Sequence, residues 1–148
     1  KLSEQVLIPH SAENLFDLVK DVRKYPDFIR WIRTMQVTSE LTEGSQYSCE
    51  AKAGVHFKGF DEQFSTRVKA DLSSHQIDVA LVRGPFRRLK NRWLFDPQPG
   101  DRTRVHFFLD YEFSNPVLGL LARANSRTAA LKIIGAFRTE ADRRFATT

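Results

Sequence analysis

The feature that most constrains this chain is a change of hydrophobic period at Asn115-Pro116. From Met35 up to that point apolar residues recur at every second position, the signature of strands; beyond it they recur at intervals of three and four, the signature of a helix. A half-apolar sheet and a long half-apolar helix each need a cover, and each can cover the other. The order of elements predicts an α+β fold, with a curved seven-stranded antiparallel sheet around one long C-terminal helix.

The pattern predicts a first strand over Leu2–Ile8, then a helix capped by Ser11 with Leu15, Val19 and Val22 on its apolar side. Pro26 is expected to interrupt that helix, with a second short helical turn at Phe28, Ile29 and Ile32. Six strands follow near 34–42, 46–54, 57–71, 75–84, 86–96 and 103–114, joined as hairpins. Asn115 caps the last helix and Pro116 takes its first position. Its expected buried stripe is Val117, Leu120, Leu121, Ala124, Leu131, Ile134, Phe137, Ala141 and Phe145. No repeat or linker interrupts the 148 residues, so residues 1–148 read as a single domain.

Twelve phenylalanines suit either a packed core or the wall of an apolar pocket. The lone Cys49 excludes an internal disulfide and a cysteine-based metal cluster, and its alternation with Tyr47 and Ala51 places it in the core. No apolar run is long enough to span a bilayer. A net charge of +5 favours an anionic partner, either lipid head groups or nucleic acid.

Within 57–71 the alternation puts Phe60, Glu62, Phe64, Thr66 and Val68 on the inner face. The next two strands add Ile77, Val79, Leu81 and Arg83, then Leu89, Asn91, Trp93 and Phe95. An inward carboxylate requires a partner, so Glu62 is expected to meet Arg83, with Asn91 nearby. These groups form either a structural ion pair or a polar handle for a ligand head group. On the long helix Ala124, Thr128 and Gly135 are small, which fits either room for a lipid or close packing on the sheet.

Arg88, Lys90 and Arg92 share the outer face of one hairpin and could meet phosphate, or simply be solvated. No aromatic residue interleaves with them to stack a base. His10, His56, His75 and His106 lack metal-ligand spacing, and no nucleophile elbow or phosphate-binding glycine loop is present. The expectation is a binding protein with no metal, no cofactor and no catalytic residue.

Three motifs then stand in order. Tyr25-Pro26-Asp27-Phe28 is followed by Trp31; Phe57-Lys58-Gly59-Phe60 continues through Glu62, Phe64 and Arg67-Val68; Gly84-Pro85-Phe86-Arg87 leads into Asn91, Trp93 and Phe95. Together they resemble the coenzyme Q-binding branch of the START-like (polyketide cyclase/dehydrase) superfamily, over nearly the whole chain. The sequence departs from that pattern at Arg30-Trp31-Ile32, where family members often have Pro-Trp-Cys.

The resemblance implies a helix-grip fold that binds ubiquinone or a related isoprenoid without catalysis, in support of respiratory electron transport. The ligand-facing set would be Phe28, Trp31, Phe60, Glu62, Phe64, Leu81, Arg83, Asn91, Trp93, Phe107, Leu121, Ala124 and Thr128. The expected partners are the isoprenoid and, transiently, an anionic membrane surface, with no DNA. The place implied is the cytoplasmic side of the inner membrane in a bacterium, or the mitochondrial matrix in a eukaryote. A bacterial relative is instead a ribosome-associated toxin, so the alternative is a regulator that binds the large ribosomal subunit through a basic surface.

Overall fold

The computed structural model describes residues 1–57 and 59–145, leaving aside the side chains of Phe57, Phe60, Leu118 and residues 121–126. Strand β1 (Leu2–Ile8) leads to α1 (Ala12–Lys20), whose first turn is closed by the Ser11 hydroxyl accepting from the Asn14 N–H at 3.2 Å. Leu15, Phe16, Leu18 and Val19 bury its apolar side. The helix ends at Lys20, before Pro26, and a 3-10 turn (Val22–Lys24) passes into α2 (Tyr25–Phe28). Pro26 therefore starts a helix instead of interrupting one, because the first turn needs no N–H from it. Ile32 belongs to the next strand. The buried Tyr25 hydroxyl donates to the Val19 carbonyl, which ties α2 to α1, and burial pushes its phenol well above the usual range.

Strands β2 (Ile32–Glu43), β3 (Gln46–Phe57), β4 (Phe60–Asp71), β5 (Gln76–Arg83), β6 (Phe86–Gln98) and β7 (Arg102–Phe113) follow as hairpins. With β1 they form one antiparallel sheet in the order β1-β7-β6-β5-β4-β3-β2. The expected break after residue 54 is displaced: β3 continues to Phe57, which pairs with Phe60. Gly59, at φ +83°, takes the left-handed position of that tight turn. Gly84 lies so close to Phe64 that a Cβ there would collide with its side chain.

The core lies between the inner face of the sheet, α1 and the C-terminal half of α3 (Pro116–Arg144). Asn115 caps α3, its side-chain oxygen accepting from the Val117 N–H at 2.8 Å. The buried line of the helix is Ala130, Ile134, Phe137 and Ala141. The expected stripe is corrected in its first half, since Val117, Leu120 and Leu131 are exposed. Thr128 is exposed too, because nine residues before Phe137 is about two and a half turns, on the opposite side of the helix.

Two polar contacts order the C-terminal end of α3, one to the segment after β1 and one within the last turn of the helix. His10 Nε2 lies 2.7 Å from Asp142 Oδ1, and Glu140, only 5% exposed, accepts from Arg143 and Arg144 at 2.5–2.9 Å. Hydrogen bonds from Arg143, then Arg144, hold the Glu140 carboxyl down at about 2 against its burial. A folded pKa below the usual carboxylate value stabilises the fold above that value, and the benefit is lost as pH falls towards 2. Because Arg143 is largely exposed, E140Q should cost about 1–2 kcal/mol at neutral pH. Urea unfolding should show the gap to wild type closing between pH 4.5 and pH 2; a gap unchanged across that window would contradict the assignment.

Candidate functional site

The inward positions of the sheet divide into two regions. At one end Cys49, Val68, Ala70, Ile77, Phe95 and Val105 are buried under α1 and α3. Farther along the same strands Val55, Phe64, Leu81, Leu89, Leu109 and Tyr111 still point inward but are only half-buried. Helix α3 leaves the sheet after Phe113, at this half-open end, and reaches the packed end at Phe137. Its N-terminal half therefore belongs to the half-open region and its C-terminal half to the core. Apolar side chains that face inward without being covered are what an apolar ligand site requires.

Phe137 marks the boundary. Its ring meets Trp93 at 5.1 Å, Tyr25 at 5.1 Å and Phe28 at 5.3 Å, all near-perpendicular. Trp93 also meets Phe107 at 4.8 Å, and both are almost fully buried, so they form the floor between the two regions. Phe28 is half-buried, with the Arg144 guanidinium 5.6 Å from its ring centre. Trp31, also half-buried, is pinned to β3 by the His56 N–H donating to its carbonyl at 2.9 Å. Phe64 and Leu81 sit in the half-open region as expected. Phe60, Leu121 and Ala124 lie outside the described side chains.

The polar trio expected inside is not brought together. Thr66 pairs with Leu81 and Ser65 with Arg83, so one extra residue, Val82, is accommodated between them. That bulge carries Arg83 to the outer face, where it is exposed beside Gln63 and Ser65. Glu62 does face inward, opposite Val55, and has no ion pair or hydrogen bond among the described residues. Asn91 also faces inward, and its Nδ2 donates to the Phe108 carbonyl at 2.8 Å. It is level with Val79 and Val68, six residues along β4 from Glu62, a separation of about 20 Å.

Glu4 belongs to none of the three motifs, although Leu2, Glu4, Val6 and Ile8 share a face of β1. It lies on the inner side of this edge strand and accepts from Arg127 Nε of α3 at 3.1 Å. The cationic hairpin does present Arg88, Lys90 and Arg92 outward, but carboxylates interleave with them. Arg88 bonds Asp110 and Glu112, and Arg92 bonds Asp78. The Arg88 hydrogen bond holds the Asp110 carboxyl below its usual range. Cys49 is fully buried, and burial pushes its thiol up, as fits a core residue. Among the described residues, no three His, Cys, Asp or Glu side chains converge as metal ligands.

The sequence matches the family described as polyketide cyclase/dehydrase and lipid transport over residues 8–138. The chain belongs to this family. Within it, the chain is 31% identical over 141 residues to the ribosome association toxin RatA of Escherichia coli K12, covering 95% of this chain and 86% of the relative. It is 29% identical over 140 residues to the mitochondrial coenzyme Q-binding protein coq10 of Schizosaccharomyces pombe, covering 88% and 80%. The solution structure of an 18 kDa protein from Caulobacter crescentus superposes with a TM-score of 0.81 at 36% identity, covering 99% and 98%. The START-like helix-grip expected from the motifs is therefore the fold of this family member. Because Glu62 has no described partner, Glu62→Gln should leave unfolding free energy within about 0.5 kcal/mol of wild type; a larger loss would reveal a structural pair.

Proposed function

We propose that this protein binds ubiquinone or a closely related isoprenoid between the half-open region of the sheet and the N-terminal half of α3, as a carrier or chaperone without catalysis. The observation that carries this reading is the row of inward apolar residues, Val55, Phe64, Leu81, Leu89 and Leu109, that the protein itself covers only in part. Each isoprenoid methylene placed against them contributes about 0.8 kcal/mol. The ring would lie towards Glu62 at the mouth. Asn91 already commits an amide N–H to Phe108, whereas Glu62, an acceptor without a described partner, suits a hydroxyl of the reduced ring. The family's description as lipid transport and the name of the coq10 relative support the same ligand class.

Organic extraction of the purified protein, read by mass spectrometry, should recover a quinone. Leu81→Trp, which fills the half-open region, should lower recovery at least about tenfold while the protein stays folded. No isoprenoid from either protein, or equal recovery from both, would overturn the assignment.

A second reading, association with the large ribosomal subunit, is favoured by the RatA relative. The hairpin Arg88–Arg92 is a poor candidate surface, since its carboxylates neutralise it. Lys24, Arg30 and Arg33, around α2, are exposed and have no ion pair among the described residues. On this reading, salt-sensitive cosedimentation with large subunits should be lost in Arg30→Glu/Arg33→Glu. Undiminished cosedimentation would exclude that surface.

A further inference from the structure

The displaced Arg83 completes a row that crosses four strands of the outer face. Gln36 pairs with Lys52, Lys52 with Ser65, and Ser65 with Arg83, so one line runs from β2 to β5 at a single level of the sheet. Residues directly opposite one another in an antiparallel pair point to the same side. Lys52 and Arg83 therefore stand on either side of the short Ser65, with roughly 10 Å between their strands. The bulge at Val82 is what brings the second cation into line, since an unbroken register would turn Arg83 inward.

The row lines a cavity of about 390 Å³, the size of a small-molecule site, together with Thr38 and Glu50. Thr38 pairs with Glu50 one row farther on, so a hydroxyl and a carboxylate stand about 7 Å along the strands from the cations. Lys52 and Arg83 are exposed, and neither makes an ion pair among the described residues, with Glu50 or any other acid. Asp61, farther along β4, is engaged by His56. Two unpaired cations flanking a hydroxyl are a recognition set for phosphate. The guanidinium fork takes two of its oxygens, the ammonium supplies a point charge, and the Ser65 hydroxyl donates between them.

From this we infer that the outer-face cavity binds a small phosphorylated sugar, its phosphate over Ser65 between Lys52 and Arg83 and its hydroxyls on Glu50 and Thr38. A longer polyanion fits less well, because a second phosphate placed on the Thr38 row would face the Glu50 carboxylate. Nucleic acid also needs a platform for its bases. Phe64, the aromatic residue that reaches the cavity, has its ring engaged edge-on with Phe86 at 5.3 Å. A bilayer would find a single exposed aliphatic here, Val82. The site lies on the opposite face of the sheet from the proposed isoprenoid region and stands independently of it.

Amide NMR of the protein tests it, with ribose 5-phosphate, inorganic phosphate and ribose as probes at fixed ionic strength. Ribose 5-phosphate should shift the amides of Gln36, Lys52, Ser65 and Arg83 saturably. Inorganic phosphate should move the same amides more weakly, and ribose should move none. Lys52→Ala and Arg83→Ala should each weaken ribose 5-phosphate binding at least about tenfold, and Glu50→Ala should bring ribose 5-phosphate and inorganic phosphate to similar affinity. Spectra unchanged away from the row establish that each variant folds, and quinone recovery should match wild type, so the two sites fail separately. Absence of saturable shifts, or equal affinity in the folded alanine variants, would overturn the site. So would an oligoribonucleotide that binds the row more tightly than ribose 5-phosphate, because the surface would then belong to nucleic acid.

Discussion

Phe137 is the contact on which the rest of the structure depends. A single ring on α3 touches Tyr25 and Phe28 of α2 and Trp93 of the sheet, so it locks together three elements that lie far apart in sequence. Tyr25 extends the lock to α1 through the Val19 carbonyl, and the His10–Asp142 contact fastens the helix end. Because this end is closed by the protein's own side chains, the other half of the sheet need not be filled for the fold to stand. Stability and ligand capacity are assigned to opposite halves of one inner face.

Much of this was legible from hydrophobic period alone. The strands after β1 need one covered face, the helix after Asn115 needs the same cover, and both caps on α1 and α3 are where Ser11 and Asn115 predict them. What escaped are places where one residue changes the phase. The bulge at Val82 turns Arg83 outward, a shift that alternation cannot report because it is set by pairing with Ser65 and Thr66 of another strand. On α3, apolar residues occur on two sides, and periodicity could not tell which side the sheet would take. Thr128 was lost to the candidate site for that reason. The neutral hairpin was legible in principle: Asp78, Asp110 and Glu112 lie at outward positions of the adjacent strands, and antiparallel register brings them to Arg88 and Arg92.

The family embraces cyclases and lipid-transport proteins, and the relatives of this chain are named for coenzyme Q binding and for ribosome association. The geometry gives these roles different surfaces. Inside, Glu62 and Asn91 stand about 20 Å apart along the strands, so they do not meet one ligand atom together. Outside, Arg88 and Arg92 of the hairpin are engaged by carboxylates, whereas Lys24, Arg30 and Arg33 around α2 have no ion pair among the described residues.

The central claim, that the half-open inner face is the ligand site, is tested most directly by methyl NMR during titration with a soluble ubiquinone analogue. The account predicts shifts in the methyls of Val55, Leu81, Leu89 and Leu109, with Ala70, Ile77, Ala130 and Ala141 of the packed end left in place. Shifts confined to the packed end or to the outer face, or none at saturating analogue, would contradict it.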